Sequence, residues 1–363
     1  MTDTVKRTAF ADVMRGLAIL GVVFYHLCAP SVFKTVLDHL VDTILITFFF
    51  YSGYFYTVGK RSLGENILNR FKTTMIPFVK HSTVFWIIGT IYHLISGEET
   101  LIEALCCLRN FYGGCIWNRV IQGWFGWEYH SLGKLYMFLA DFWFLIALLF
   151  ASILFFLIGD HTLPSKGKTC ASVVILLTIT GVLRHFEISL PYNLQIVPFW
   201  TSFMLIGALA KYSKVFDDET MSNTKAWIIS IIVMVIGLII SLTKAPSTNL
   251  FRGYFAQEEV VAMILSTISS LAIIYGLSNI CRLAENANIC ISELSWLGSH
   301  SLLIYLYHMF FAWIISIITG FSLKYENVTP VIVFKSILLS LVCLGAGILL
   351  NIISDKLAKK QQA

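Results

Sequence analysis

Residues 10–26 have the sequence FADVMRGLAILGVVFYH, an apolar run of membrane-spanning length that nevertheless contains Asp12, Arg15 and His26. Together with Ile19 and Val22, these residues follow one another at intervals of three or four positions. That spacing places all five on one helical face. An ionisable side chain at the centre of a span costs about 2.5 kcal/mol or more, so spans rarely carry one without a functional reason. This face is therefore the first candidate site.

The rest of the chain is equally apolar. Of its 363 residues, 57% are hydrophobic and 13% are charged, against about 45–50% and about 25% in soluble domains. Because backbone groups find no water in hydrocarbon, each long apolar stretch must form a helix. We therefore predict an all-α, polytopic bundle of about ten transmembrane helices in a single domain, 1–363. The predicted spans lie near 12–30, 39–58, 75–95, 137–158, 170–187, 196–211, 226–243, 258–280, 297–319 and 330–353.

Basic residues indicate how the bundle is oriented. If the N-terminus is cytoplasmic, the cytoplasmic segments, with both termini, hold fifteen lysines and arginines, and the outer loops hold seven. Cytoplasmic loops normally carry this excess, so both termini are predicted to be cytoplasmic, including a short C-terminal tail, 354–363. The net charge of +5 then reflects topology, and no nucleic-acid partner is predicted.

The longest polar interval is the predicted outer loop, 96–136. Its aromatic residues suit either the lipid headgroup level or a platform that stacks on a sugar. They are Trp117, Trp124, Phe125, Trp127, Tyr129 and Tyr136. Cys106, Cys107 and Cys115 share the loop, where an oxidising compartment allows a disulfide, although their odd number argues against one. The eight cysteines lack metal-site spacing, so no metal is predicted.

Three polar residues share one face of the ninth predicted span. Ser301, Tyr305 and His308 are spaced four and three apart, and His308 is expected near the middle of the membrane. A single histidine inside a helix bundle usually makes a structural hydrogen bond. Beside two hydroxyl groups, proton transfer is an equally good interpretation, because imidazole titrates near neutral pH.

Two further elements lie near the expected cytoplasmic ends of the second and third spans. The second span ends in FFFYSGYF, where Ser52 and Gly53 allow close approach of another backbone or of a ligand. Packing of a neighbouring helix is the simpler explanation of that pair. Arg70 and Lys72, which precede Pro77, suit phosphate groups but equally satisfy the topology rule.

In their order along the chain, these elements resemble membrane-bound acyltransferase family 3. The hallmark of that family is a first helix in which ten residues separate an Arg from a His, as they separate Arg15 from His26. The resemblance covers essentially the whole chain and is closest to the fucose 4-O-acetylase and the O-antigen and capsule O-acetyltransferase branch. The other matching elements are FFFYSGY at 48–54, Arg70 to Pro77, Trp-Phe-Leu at 143–145 and IYLYH at 304–308.

The resemblance implies an acyltransferase of the cytoplasmic (inner) membrane. Such an enzyme moves an acyl group, usually acetyl, from cytoplasmic acyl-CoA to a sugar hydroxyl of an envelope polysaccharide or glycolipid. Acetyl-CoA would then be the donor substrate and not a permanently bound cofactor. The remaining partners would be the envelope glycan or a lipid-linked sugar, and membrane lipid. Succinyl transfer also lies within the range of the family.

The same resemblance suggests roles for individual residues. His26 and Arg15 would be catalytic, and the sequence leaves open whether His26 is a general base or a transient acyl carrier. At about 1.5 Å per residue, Arg15 lies about 16 Å and Asp12 about 21 Å from His26, so Asp12 is expected to pair with Arg15. The predicted donor-binding residues are Arg15, Ser52, Gly53, Arg70 and Lys72. The predicted supporting or acceptor-side residues are Asp12, Trp143, Tyr305 and His308.

A glycan transporter or flippase is the chief alternative, because it too needs polar groups that face a cavity. Transporters often show internal repeats and broken helices in corresponding positions, and the sequence shows no convincing repeat. A purely structural helix bundle leaves the alignment of Arg15 with His26 unexplained. The acyltransferase hypothesis is therefore preferred.

Overall fold

The computed structural model describes residues 9–113, 136–140, 142–186, 188–216, 224–243, 259–287, 291–321 and 328–362. Every regular element in these ranges is helical, which confirms the predicted all-α fold class. The helices are α1 (Ala9–Leu27), α2 (Val32–Tyr54), α3 (Leu63–Arg70), α4 (Ile76–Ser96), α5 (Leu101–Tyr112), α6 (Trp143–Thr162), α7 (Lys166–His185), α8 (Val197–Tyr212), α9 (Thr224–Thr243), α10 (Glu259–Asn286), α11 (Ser292–Ser299), α12 (Ser301–Thr319) and α13 (Pro330–Gln362). A π-helical turn (Phe71–Met75) precedes α4, a short helical segment (Met137–Ala140) precedes α6, and a 3₁₀ turn (Pro191–Ile196) precedes α8.

Eight of the ten predicted spans coincide with described helices that are long and apolar enough to cross a membrane. These are α1, α6, α7, α8 with its preceding 3₁₀ turn, α9, α10, α12 and α13. The other two predicted spans coincide with α2 and α4, which have 23 and 21 residues but are more polar. Asp38 and Asp42 lie within α2, and Lys80 and His81 lie within α4. The polytopic architecture is thus confirmed.

Two segments predicted as a loop and a tail are helical. Helix α5 occupies the start of the predicted outer loop, 96–136, and a capping box begins it: the Thr100 side chain accepts from the Glu103 N–H, and the Glu103 carboxylate accepts from the Thr100 N–H at 2.7 Å. At the other end of the chain, α13 continues to Gln362, so the predicted tail, 354–363, extends the last helix.

The chain forms two compact units. The first unit contains α1, α2 as far as Tyr51, α9, α10 from Val261 onward, and α11 to α13. The second unit contains the last residues of α2 and helices α3 to α8. Each has fully buried apolar side chains of its own, such as Ile19 in the first and Trp200 in the second.

Two glycines bring α1 and α11 into backbone contact in the first unit. A Cβ atom on Gly298 would lie 1.8 Å from the carbonyl oxygen of Asp12, and one on Gly16 would lie 2.2 Å from that of Leu294. Both distances are far shorter than van der Waals contact, so a larger residue at either position would push the helices apart. The contact therefore fixes the charged start of α1 against α11.

Helix α1 runs antiparallel to α13. The backbone N–H of Ala29, just beyond the end of α1, donates to Ser336 Oγ near the start of α13 at 2.9 Å. At the opposite end of α13, Asp355 pairs with His300, the residue that separates α11 from α12, at 3.2 Å. Because α11 packs on the start of α1, the start of α1 and the end of α13 lie at the same end of this unit.

A line of hydrogen-bonded polar side chains joins α2 to α10 in the first unit. Ser266 Oγ donates to the carboxylate of Asp42 at 2.5 Å, and the hydroxyls of Thr43 and Ser270 are 2.9 Å apart. Polar groups in hydrocarbon must find protein partners, and such pairs help to hold membrane helices together. We interpret this line as the packing contact between the two helices.

In the second unit, helix ends meet as an alternating topology requires. The loop after α2 meets the ends of α6 and α8, where the Tyr56 hydroxyl donates to Asp160 and the Lys211 ammonium donates to the Tyr56 carbonyl. At the opposite end of α8, the Tyr192 hydroxyl donates to the backbone carbonyl of Tyr112. Segments predicted to share a side of the membrane therefore contact one another.

Candidate functional site

Helix α1 holds an ion pair in its first turns. Arg15 Nη1 lies 3.4 Å from Asp12 Oδ1, three residues away on the same face, as the spacing predicts. The carboxylate of Asp12 is buried, whereas the side chain of Arg15 is 26% exposed. A guanidinium has five N–H donors. The geometry thus presents a positively charged, partly accessible group at the end of α1 that packs on α11.

At the other end of α1, the first unit brings two histidines together from opposite ends of the sequence. The ring centroids of His26 on α1 and His308 on α12 are 5.4 Å apart, and the rings are inclined by 49°. His26 is half-buried, and His308 is buried. Because ring nitrogens project beyond the centroids, this separation allows the two imidazoles to exchange a proton directly or through one water molecule.

The backbone fixes the orientation of His308. Its Nδ1 lies 2.7 Å from the carbonyl oxygen of Tyr305, one turn earlier on α12. A carbonyl oxygen only accepts hydrogen bonds, so Nδ1 carries a hydrogen, and the lone pair of the neutral ring is on Nε2. The Tyr305 ring packs against His308 with centroids 6.0 Å apart. The predicted face of Ser301, Tyr305 and His308 is therefore buried, and it meets α1 at His26.

The site residues predicted for the second unit lie in two different settings. A Cβ atom on Gly53 would lie 1.8 Å from the carbonyl oxygen of Met204 on α8, so Gly53 serves the close packing that was the simpler explanation. Ser52, its neighbour, is half-buried. Trp143 begins α6, is half-buried, and packs edge-on against the ring of Phe144 at 6.1 Å.

Arg70 and Lys72 flank the start of the π-helical turn in the second unit. Arg70 is the last residue of α3 and is half-buried, whereas Lys72 lies within the turn and is exposed. Pro77, in the first turn of α4, has no N–H, and the wider π-turn carries the chain into that helix. Turns of this kind are rare and are frequent at functional sites. Arg70 and Lys72 therefore lie at a local departure from α-helical backbone.

A comparison with protein families settles what kind of protein this is. The family model described as "Acyltransferase domain" matches residues 8–353. The chain belongs to membrane-bound acyltransferase family 3. No curated protein and no solved structure matches it significantly. Membership confirms the predicted resemblance and favours a membrane acyltransferase over a transporter.

The acyltransferase also contains a buried carboxylate that the sequence analysis passed over. Asp42 on α2 is buried, and it accepts a hydrogen bond from Ser266 Oγ at 2.5 Å. The signal was available, because Asp42 interrupts an apolar stretch in the same way that Asp12 does. Asp38 lies one turn before Asp42 on the same face of α2, so the helical spacing of the two acidic residues was also visible in the sequence.

A second buried polar group of the acyltransferase lies where the predicted outer loop meets the helices. The Tyr136 hydroxyl donates to Glu99 at 2.6 Å and lies 2.8 Å from Thr90 Oγ1, while the Cys107 thiol donates to the other carboxylate oxygen of Glu99 at 3.5 Å. Burial and the nearby Glu99 raise the pKa of Cys107 to about 12. The same two causes raise the pKa of Tyr136 well above its ordinary value.

The remaining expectations for this loop are only partly covered by the described residues. Cys106 and Cys107 are both free thiols, and Cys115 lies outside the described residues, as do Trp117, Trp124, Phe125, Trp127 and Tyr129. Within the described ranges, no three histidine, cysteine or acidic side chains are arranged to hold a metal ion.

Proposed function

We propose that this acyltransferase moves an acetyl group from acetyl-CoA on the cytoplasmic side of the inner membrane to a sugar hydroxyl of an envelope polysaccharide or glycolipid. The observation that carries the proposal is the pairing of His26 with His308 inside a chain of this family. Two adjacent imidazoles, one with its tautomer set by a backbone carbonyl, suit proton transfer.

Arg15 suits the donor side of the reaction. CoA is anionic, and an arginine binds phosphate oxygens through paired hydrogen bonds. The ion pair with Asp12 holds the guanidinium in place while leaving the side chain partly exposed. About 16 Å of helix separates Arg15 from His26, a distance that the extended pantetheine arm of CoA can span. Arg70 and Lys72 of the second unit stay predictions for donor binding.

His26 acts in this proposal as the general base. It removes the proton of the sugar hydroxyl while the hydroxyl oxygen forms a bond with the acetyl carbonyl carbon. Collapse of the tetrahedral intermediate breaks the carbon–sulfur bond, and the proton returns from His26 to the CoA sulfur. The Nε2 atom of neutral His308 can accept a hydrogen bond from His26 while His26 carries the proton, which stabilises the charged ring.

The test uses the purified full chain in lipid nanodiscs with acetyl-labelled CoA and an envelope glycan fraction. Substituting His26→Ala should reduce label transfer by about 10²-fold or more, the usual contribution of a general base. The matched control is His161→Ala, which removes an exposed histidine near the end of α6. Size-exclusion profiles should show that both variants stay folded. Activity of His26→Ala equal to the wild type would refute the central role of this residue.

One further arm separates the base from a covalent carrier. The enzyme is incubated with labelled acetyl-CoA and no acceptor, then denatured and counted. A general base leaves the protein unlabelled, whereas an acyl carrier retains label that disappears in His26→Ala. Retained label would replace the base mechanism with the carrier mechanism.

A further inference from the structure

Hydrogen bonds join the loop between α2 and α3 to two helix ends in the second unit. The Tyr56 hydroxyl donates to the carboxylate of Asp160 at the end of α6. The backbone N–H of Val58 donates to the Tyr212 hydroxyl at the end of α8, at 2.7 Å. A third hydrogen bond runs from the Lys211 ammonium to the Tyr56 carbonyl. Together the three bonds define the shape of this loop.

Lys211 contributes a cation to this loop. Its half-buried ammonium donates to the carbonyl oxygen of Tyr56 at 2.8 Å and to the hydroxyl of Thr57 at 3.1 Å. An ammonium has three N–H donors, so these two contacts leave one donor for a further acceptor. Both acceptors are neutral, so the positive charge is positioned by the loop without being neutralised by it.

A second cation approaches the first. Lys60 belongs to the same loop, and its backbone N–H donates to the carbonyl oxygen of Thr57 at 3.3 Å, the residue whose hydroxyl Lys211 contacts. Two like charges at one short turn repel each other, and an anion close to both offsets that repulsion. In the described part of the chain, no carboxylate forms an ion pair with either lysine.

A lysine at the end of a span usually extends its ammonium into water, which explains many such residues without a ligand. Lys211 differs, because its ammonium turns back onto the loop backbone. A phosphate group matches the pair because it offers several acceptor oxygens and up to two negative charges, and lysine is a common phosphate ligand. We propose that Lys60 and Lys211 form a binding site for a phosphate group.

Two sources supply a phosphate of this chemistry. One is the 3′-phosphate of CoA, and that assignment rests on the proposed function. The other is the headgroup of an anionic phospholipid, which is independent of it. The experiments measure binding without acyl transfer, so that failure of the site and failure of the proposed function give different results.

The first arm uses adenosine 3′,5′-bisphosphate, the nucleotide part of CoA, with the full chain in phosphatidylcholine nanodiscs. Lys211→Gln and Lys60→Gln should each weaken its binding about tenfold, the usual effect of losing one charged hydrogen bond. Binding of AMP, which lacks the 3′-phosphate, should change little. The control is Lys168→Gln, an exposed lysine in the first turn of α7. Glutamine keeps N–H donors for the loop, and size exclusion checks folding.

The second arm measures phosphatidic acid retained per protein by native mass spectrometry. If the two variants retain less phosphatidic acid but bind the nucleotide as the wild type does, the site binds lipid. Nucleotide binding that falls assigns it to the donor. If neither quantity changes, Lys60 and Lys211 do not form a phosphate site, even where acyl transfer is intact. If the two variants weaken binding but the wild-type protein transfers no acyl group, the phosphate site stands and the proposed function is refuted.

Discussion

The two units each bury a histidine whose Nδ1 lies 2.7 Å from an oxygen, yet the two settings differ. In the first unit, His308 is 1% exposed and pairs with the neutral carbonyl of Tyr305. In the second unit, His93 is 3% exposed and pairs with the carboxylate of Glu98, which is half exposed. The two settings differ in charge. The Tyr305 carbonyl fixes the tautomer of His308 without adding a charge, whereas the Glu98 carboxylate places a negative charge beside His93.

The surroundings of the two rings extend this contrast. His308 faces a second imidazole, that of His26, at 5.4 Å. His93 faces the ring of Tyr136 at 5.4 Å, and that phenol already donates to the carboxylate of Glu99. The first arrangement brings two imidazoles together, whereas the second places an imidazole beside a phenol that is hydrogen-bonded to a carboxylate. Burial alone therefore does not mark a catalytic histidine.

The largest expected effect comes from matched substitutions of these two histidines. Asparagine can place an N–H where Nδ1–H of His308 donates to Tyr305 but cannot carry a proton near neutral pH. His308→Asn should therefore fold normally and lower kcat about 10²-fold. His93→Asn should leave the turnover per folded molecule unchanged. Steady-state kinetics with acetyl-CoA check both, and full activity of His308→Asn would make His308 merely structural.

Two glycines of the first unit, one at a helix contact and one away from any contact, give the next largest effect. Gly298→Ala places a methyl group where a Cβ would lie 1.8 Å from the Asp12 carbonyl, so it should destabilise the first unit by about 1–3 kcal/mol and lower activity. Gly345→Ala is the control, because a Cβ at that position on α13 has no neighbour within 4 Å. Thermal unfolding in detergent measures both. Equal stability of the two variants would contradict the α1–α11 contact.

A smaller effect is expected from the polar group around Glu99. Tyr136→Phe removes the donor to Glu99 and leaves a buried carboxylate oxygen with one partner fewer, which should cost about 1–3 kcal/mol of stability. Turnover per folded molecule should not change, because this group is expected to be structural. Phe138→Leu, in the same segment, controls for altered packing alone. If Tyr136→Phe lost turnover but kept its stability, the Tyr136–Glu99 group of the second unit would take part in catalysis.

The smallest effect concerns the reactivity of Cys107. Burial and Glu99 raise the pKa of the Cys107 thiol to about 12, so at pH 8 only about one thiol in 10⁴ is the reactive thiolate. Maleimide should label Cys107 far more slowly than the exposed Cys170, and labelling should accelerate as pH rises. Peptide mass spectrometry resolves the two sites. Equal rates at pH 8 would show that the Glu99 group is open to solvent.

Several features were predictable from the sequence because they depend on neighbours along the chain. Apolar runs of spanning length predicted helices, and eight of the ten predicted spans meet the criteria of length and apolarity. The spacing of three between Asp12 and Arg15 predicted their ion pair. The spacing from Tyr305 to His308 likewise placed both on one face. Helical periodicity is a local property, so these features could be read from the chain.

Tertiary structure alone decided which distant residues meet. His26 lies on α1 and His308 on α12, and no local pattern in either helix encodes their 5.4 Å separation. The contact of Gly298 with the backbone at Asp12 likewise depends on how α11 packs against α1. In an apolar bundle many helix pairings bury similar surfaces, and close backbone approach and buried hydrogen bonds choose among them. The sequence thus determined the helices and their polar faces, whereas packing determined which faces form the site.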